Sequence, residues 1–190
     1  MAEESNVHIK LAGAEVLGLF LISMAAILVG MFGLKVFDDL SVIAGVAAIV
    51  GTGLFLCTIV AYLNENILVS AAFGLVGIYL LGFAAMATPV LTGVAEAYIA
   101  AEIYTIFFGL GLLMVGIIAF AQPVKILPIF LVIAALAFIC LGLWFDMGED
   151  IRIVVGLLWT ITSLMALYMA TAIGFLVVKG KVVLPLLIKA

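Results

Sequence analysis

Six stretches of almost unbroken apolar residues run along the chain, at about 12–34, 40–63, 67–88, 99–121, 124–145 and 152–178. Each has roughly the 20 residues that an α-helix needs to cross a hydrocarbon layer about 30 Å thick. Polar positions come in short clusters between them: Lys35 to Asp39, Asn64-Glu65-Asn66, Pro89 to Glu96, Gln122-Pro123 and Asp146 to Arg152. Charge, amide or proline is concentrated where the chain must leave lipid. The pattern predicts an all-α fold, an integral membrane bundle of six transmembrane helices joined by short loops. Residues 11–178 form this domain, between a polar amino-terminal tail at 1–10 and a short basic carboxy-terminal tail at 179–190.

Composition strengthens the case: 69% of the residues are hydrophobic, 9% are charged, and mean hydropathy is +1.55. A soluble domain is roughly a quarter charged, and its core could not absorb this excess of apolar surface. A bilayer can, because spanning helices are apolar toward lipid as well as toward each other and satisfy their backbone hydrogen bonds internally. A net charge of -4 with scattered Lys and Arg leaves no footprint for nucleic acid. Cys57 and Cys140 lie inside apolar stretches and read as small hydrophobes. The acidic start MAEESNVHIK lacks the features of a cleavable signal peptide, so the first helix is expected to be retained.

Lysine and arginine positions orient the bundle. Lys10, Lys125, Lys179, Lys181 and Lys189 fall on one side, Lys35 and Arg152 on the other. Both termini are therefore expected in the cytoplasm, with the protein in the cytoplasmic membrane. The outer side collects Asp38, Asp39, Glu96, Glu102, Asp146, Glu149 and Asp150. These acids read first as groups that solvate loops, and second as a mouth favouring cations.

Glycines recur within the spans, as at Gly45, Gly51 and Gly53 or Gly109, Gly111 and Gly116. Close helix packing explains them, since small residues let backbones approach; a backbone-lined pore is the alternative. Polar groups at bilayer depth are hydroxyls, chiefly Ser23, Thr52, Thr58, Ser70, Thr105, Thr160, Thr162, Ser163 and Thr171. A hydroxyl can bond the carbonyl one turn earlier, which needs no functional role. Within Thr160, Thr162 and Ser163, the spacing places at least one against other helices. Glu102, near the start of the fourth helix, is either an interfacial carboxylate or a candidate proton or gating residue. Glu96 reads as a loop residue, and Tyr62, Tyr98, Tyr104, Trp144 and Tyr168 as an interfacial aromatic belt. His8, the lone histidine, has no partners for a metal site or a catalytic pair. No Ser-His-Asp set, HExxH or phosphate-binding loop is present. Neither an enzyme, a cofactor nor a metal is expected.

Several stretches resemble the acetate and succinate transporter family (SatP/YaaH). They are Leu17-Gly18-Leu19 with Ser23-Met24, Asp39 before the second helix, Tyr62 to Asn66 with Ala72-Phe73 and Gly77, and Gly156, Ala166 and Tyr168. The most specific is Gly180-Lys181-Val182-Val183-Leu184-Pro185. The resemblance implies six-helix protomers, each with its own pore, assembled as a homohexamer and passing acetate or succinate, often with protons. It implies a substrate path along Glu15, Leu17, Gly18 and Ser23, and a pore constriction at Ile22, Val76 and Ala134.

Two departures qualify this likeness. Where the family reads Asn-Pro-Ala-Pro-Leu-Gly, this chain has Gly13-Ala14-Glu15-Val16-Leu17-Gly18. Glu15 would set its own carboxylate on a helix N-terminus suited to an anion, either repelling a carboxylate substrate or merely capping the helix. Ile22, Val76 and Ala134 are also smaller than the usual phenylalanine, tyrosine and leucine, which implies a wider or drier ring without a tyrosine hydroxyl. Three functions remain open: a passive or proton-linked path for a small monocarboxylate, a path for a small neutral or cationic solute such as ammonia, ammonium or urea, and a non-conducting accessory subunit.

Overall fold

The computed structural model describes residues 13–185; His8, Lys10 and Lys189 lie outside the described residues. Six helices follow one another: α1 (Glu15–Gly33), α2 (Ser41–Leu63), α3 (Ile67–Leu91), α4 (Ala95–Ala119), α5 (Ile126–Met147) and α6 (Glu149–Lys179). All six are long and apolar enough to cross a membrane, as expected of a multi-pass membrane protein. Short connections make sequential neighbours antiparallel, and each helix packs against the next. Because α6 packs extensively on α1, the six close into a ring.

Helix limits follow local chemistry more closely than the apolar runs alone predict. Helix α4 begins at Ala95, so Glu96 lies in its first turn rather than in a loop, where a carboxylate opposes the positive end of the helix dipole. Helix α3 runs through Pro89 to Leu91; proline has no N–H to give to the carbonyl of Ala85 four residues earlier, and the helix ends two residues beyond it. Asp146 closes α5, and Glu149 to Arg152 form the first turn of α6. Gly148 alone turns the chain between them, at φ 60°, a left-handed value that glycine adopts freely. After α6, the Tyr168 hydroxyl donates to the carbonyl of Pro185 at 2.8 Å, tying the chain back along the helix.

Small residues set the closest approaches. A Cβ on Gly33 would lie 2.4 Å from the Gly156 backbone, and one on Gly156 would lie 2.6 Å from the Gly33 and Leu34 backbones. Gly51 and Gly77 meet similarly between α2 and α3, while Gly109 and Gly116 of α4 each lie against α5, near Ala135 and Ile139 and near Leu131 and Val132. Gly45 and Gly111 face open space. Gly156→Ala is expected to destabilise the bundle by about 1–3 kcal/mol, because the obstruction is backbone. Gly111→Ala should instead stabilise α4 by up to about 1 kcal/mol. Thermal unfolding of the two variants beside the parent protein checks both signs.

The hydroxyls divide into two groups. Thr52, Thr58, Thr160, Thr162 and Thr171 donate to the carbonyl four residues earlier. Ser23 and Ser163 instead join α1 to α6, with their oxygens 3.1 Å apart and Ser163 donating to the Ser23 carbonyl at 2.9 Å. Ser70 reaches the Thr58 carbonyl, and Thr105 pairs with the Tyr79 hydroxyl at 3.1 Å.

The ring end where α1, α3 and α5 finish holds a buried cation. Arg152, 6% exposed, donates from Nε and Nη2 to the Phe32 carbonyl at 3.1 and 2.9 Å, and from Nη2 to the Phe37 carbonyl at 3.2 Å. Its guanidinium pairs with Asp38 and Glu149 and lies 4.5 Å from the centre of the Phe32 ring. Lys35 completes the cluster through Glu149, at 2.6 Å. Asp39, beside this cluster, accepts from the Ser41 backbone at 2.8 Å. The Ser41 hydroxyl and N–H together hold its carboxyl below the ordinary value.

Candidate functional site

Inside the ring lies a cavity of about 300 Å³. Helix α1 supplies Glu15, Leu19, Ile22 and Ala25, spaced by four and three residues so that they share one face. Helix α3 presents Ala72, Phe73, Val76 and Leu80, and α5 presents Phe130, Leu131, Ala134 and Phe138. Helix α6 closes the wall with Trp159, Thr162, Met169 and Ile173. Where α1 and α3 begin, Glu15, Asn66 and Gln122 make the polar end of this lining. The rest is apolar apart from Thr162, whose hydroxyl is already given to Leu158.

The proposed constriction residues Ile22, Val76 and Ala134 are brought together from three helices onto this one wall. Glu15 joins them near the helix start. The structure separates the other members of the inferred path. Leu17 is 59% exposed, on the outer face of α1. Gly18 is buried against the Phe73 ring, which would lie 2.3 Å from an added Cβ, and so belongs to the α1–α3 contact. Ser23 is committed to Ser163. Glu102 borders neither cavity found in the ring; its carbonyl faces Gly142 of α5, 3.1 Å from where a Cβ would sit.

The polar end has a defined geometry. Asn66 caps α3, its Oδ1 accepting from the Val69 N–H at 3.3 Å, and its Nδ2 donates to Glu15 Oε1 at 3.0 Å. A single amide thus ties the starts of α1 and α3 together. Lys125 Nζ, on the loop between α4 and α5, donates to the Phe120 and Gln122 carbonyls at 2.6 and 2.7 Å. Among the described residues, no cation pairs with Glu15.

Deeper in the ring an aromatic layer begins. Tyr79, 2% exposed, stacks on Tyr104 with ring centres 5.3 Å apart and meets Phe108 and Phe138 at 4.6 and 4.7 Å. Phe138 meets Trp159 at 4.6 Å, and the indole of Trp159 donates to the Ala137 carbonyl. Beyond this layer a second cavity, of about 20 Å³, reaches toward Phe32 and Phe145. It shares Ala25, Leu80 and Trp159 with the first. Two expectations change here. Tyr104 belongs to this interior stack rather than to an interfacial belt, its hydroxyl donating to the Ile78 carbonyl. A tyrosine hydroxyl does lie one turn beyond Val76, but Tyr79 directs it to Thr105.

Sequence reading did not single out Tyr79, Trp159, Gln122 or the buried role of Arg152. The four-residue spacings Tyr79/Phe83 and Tyr104/Phe108 signalled an aromatic face. In helices apolar all round, that spacing does not say which face turns inward.

No family model matches the chain, and no curated protein matches it. Among solved structures, the bacterial acetate channel SatP superposes with a TM-score of 0.82 at 21% sequence identity, over 93% of this chain and 99% of that one. The likeness that residues such as Leu17-Gly18-Leu19 and Gly180 to Pro185 carry therefore extends to the whole architecture: this chain has the six-helix fold of the acetate channel SatP.

Proposed function

We propose that the protein is a membrane channel for a small monocarboxylate such as acetate, with the path inside each six-helix ring. The cavity inside the ring carries this reading: it bears Ile22, Val76 and Ala134 together on its wall, in a fold shared with an acetate channel. Past Asn66 and Gln122 the wall offers no free donor to a carboxylate, and Glu15 opposes a negative charge at the polar end. The acid therefore passes in its uncharged form, so movement is passive and delivers a proton with each molecule. Lysine placement favours both termini on the cytoplasmic side. The apolar outer faces of α2 and α4, rich in exposed Ile49, Phe55, Phe107 and Ile118, suit lipid or neighbouring copies in a homohexamer.

Uptake of labelled acetate into liposomes holding the purified protein tests this. A simple carboxylic acid with a pKa near about 4.3 is about 80-fold more abundant in neutral form at pH 5 than at pH 7. Protein-dependent uptake, after subtraction of empty liposomes, is expected to rise toward that ratio. Equal uptake at both pH values would mean that the anion is carried, and none at either would reject acetate. Glu15 favours a second reading, passage of a small neutral or cationic solute such as ammonia, ammonium or urea. The same liposomes distinguish it.

A further inference from the structure

We infer that the main cavity is also a binding site for an organic monocation with an apolar body. The charge would sit against the Glu15 carboxylate and the body between Phe73 and Phe130, about one to two helical turns deeper. The inference stands on the cavity itself and does not require that acetate be transported.

Three observations converge. Glu15 is the sole charged side chain in the cavity lining among the described residues, and it is half-buried. Its Oε1 accepts from Asn66, a neutral donor, while Lys125 is turned to backbone carbonyls and Lys179 lies over the Phe175 ring. A carboxylate at the rim of an apolar chamber attracts a cation more strongly than it would in water, and repels an anion in the same measure. The positive ends of α1 and α3 soften the field of that carboxylate, so charge alone does not hold a ligand there.

The second observation is size. A volume of about 300 Å³ sits at the lower end of the range of sites for small organic ligands, about 300–1,000 Å³. That is far more than a two-carbon acid fills. The third is the wall. Phe73 and Phe130 line it within about two turns of the starts of α3 and α5, offering a hydrocarbon body apolar contact and aromatic rings. A short carboxylate uses neither, whereas an alkyl or benzyl ammonium uses both.

The test is calorimetric titration of benzyltrimethylammonium into the full-length protein in phosphatidylcholine nanodiscs at pH 7. Its quaternary charge does not titrate, and a zwitterionic lipid does not gather it. Saturable binding of one cation per chain is expected. Glu15→Gln, which can keep the Asn66 hydrogen bond, should weaken binding about tenfold or more, while Glu15→Asp retains most of it. The neutral carbon isostere should bind the parent and Glu15→Gln equally, and Ala134→Trp, which fills the chamber, should exclude both probes. Absence of binding by the parent protein, or equal affinity of the parent and Glu15→Gln for the cation, overturns the inference. Cation binding without acetate uptake would leave the inference standing and remove the proposed transport role.

Discussion

Ile22→Trp is expected to lower protein-dependent acetate uptake about tenfold or more, with assembly preserved. Ile22 is 7% exposed and shares the cavity wall with Val76 and Ala134. An indole there projects into empty volume rather than into backbone, so the overpacking cost stays near the low end of the usual ~1–3 kcal/mol. The contrasting variant is Leu17→Trp. It lies on the same helix, but Leu17 is 59% exposed on the outer face, and its uptake should match the parent's. Uptake unchanged in Ile22→Trp would place the path outside the ring. Loss in both variants would point to damage to α1 as a whole.

Arg152→Ala is expected to cost about 2–4 kcal/mol of stability, read as a lower unfolding temperature in detergent or nanodiscs. The cation caps the end of α1, where the last carbonyls have no helical partner and a positive charge opposes the dipole. It gives two hydrogen bonds to Phe32 and one to Phe37, which a methyl group cannot replace. Its acidic partners contribute less: the Asp38 and Glu149 side chains are 79% and 60% exposed, and water screens them. Asp38→Asn should therefore cost about 1 kcal/mol or less. Equal losses in the two variants would show that the ion pair, not the carbonyl cap, holds the loop between α1 and α2.

Much of the architecture was legible because bilayer thickness imposes a length that polar clusters then delimit. Asn64-Glu65-Asn66 ends one span and starts the next, and α2 stops at Leu63 while α3 begins at Ile67. The limits that shifted did so where helix-dipole or turn chemistry outweighed hydropathy, as at Ala95 and Gly148. The site was legible in part. Glu15 and the trio Ile22, Val76 and Ala134 share one cavity, but Leu17, Gly18 and Ser23, adjacent in sequence, point elsewhere. A helix turns about 100° per residue, so neighbours in sequence rarely share a face. Where lipid and core are both apolar, composition does not mark the face that turns inward.

The sequence by itself determined that this chain spans a membrane six times as an all-α bundle, because no other solvent suits its composition and no other structure satisfies its backbone there. Only the tertiary structure decided which faces meet. It closed α6 onto α1 through Gly33 and Gly156, buried Arg152 at one end of the ring and joined Glu15 to Asn66 at the other. It also left a chamber between them, since that empty volume depends on how residues far apart in the chain pack, and each helix taken singly carries no trace of it.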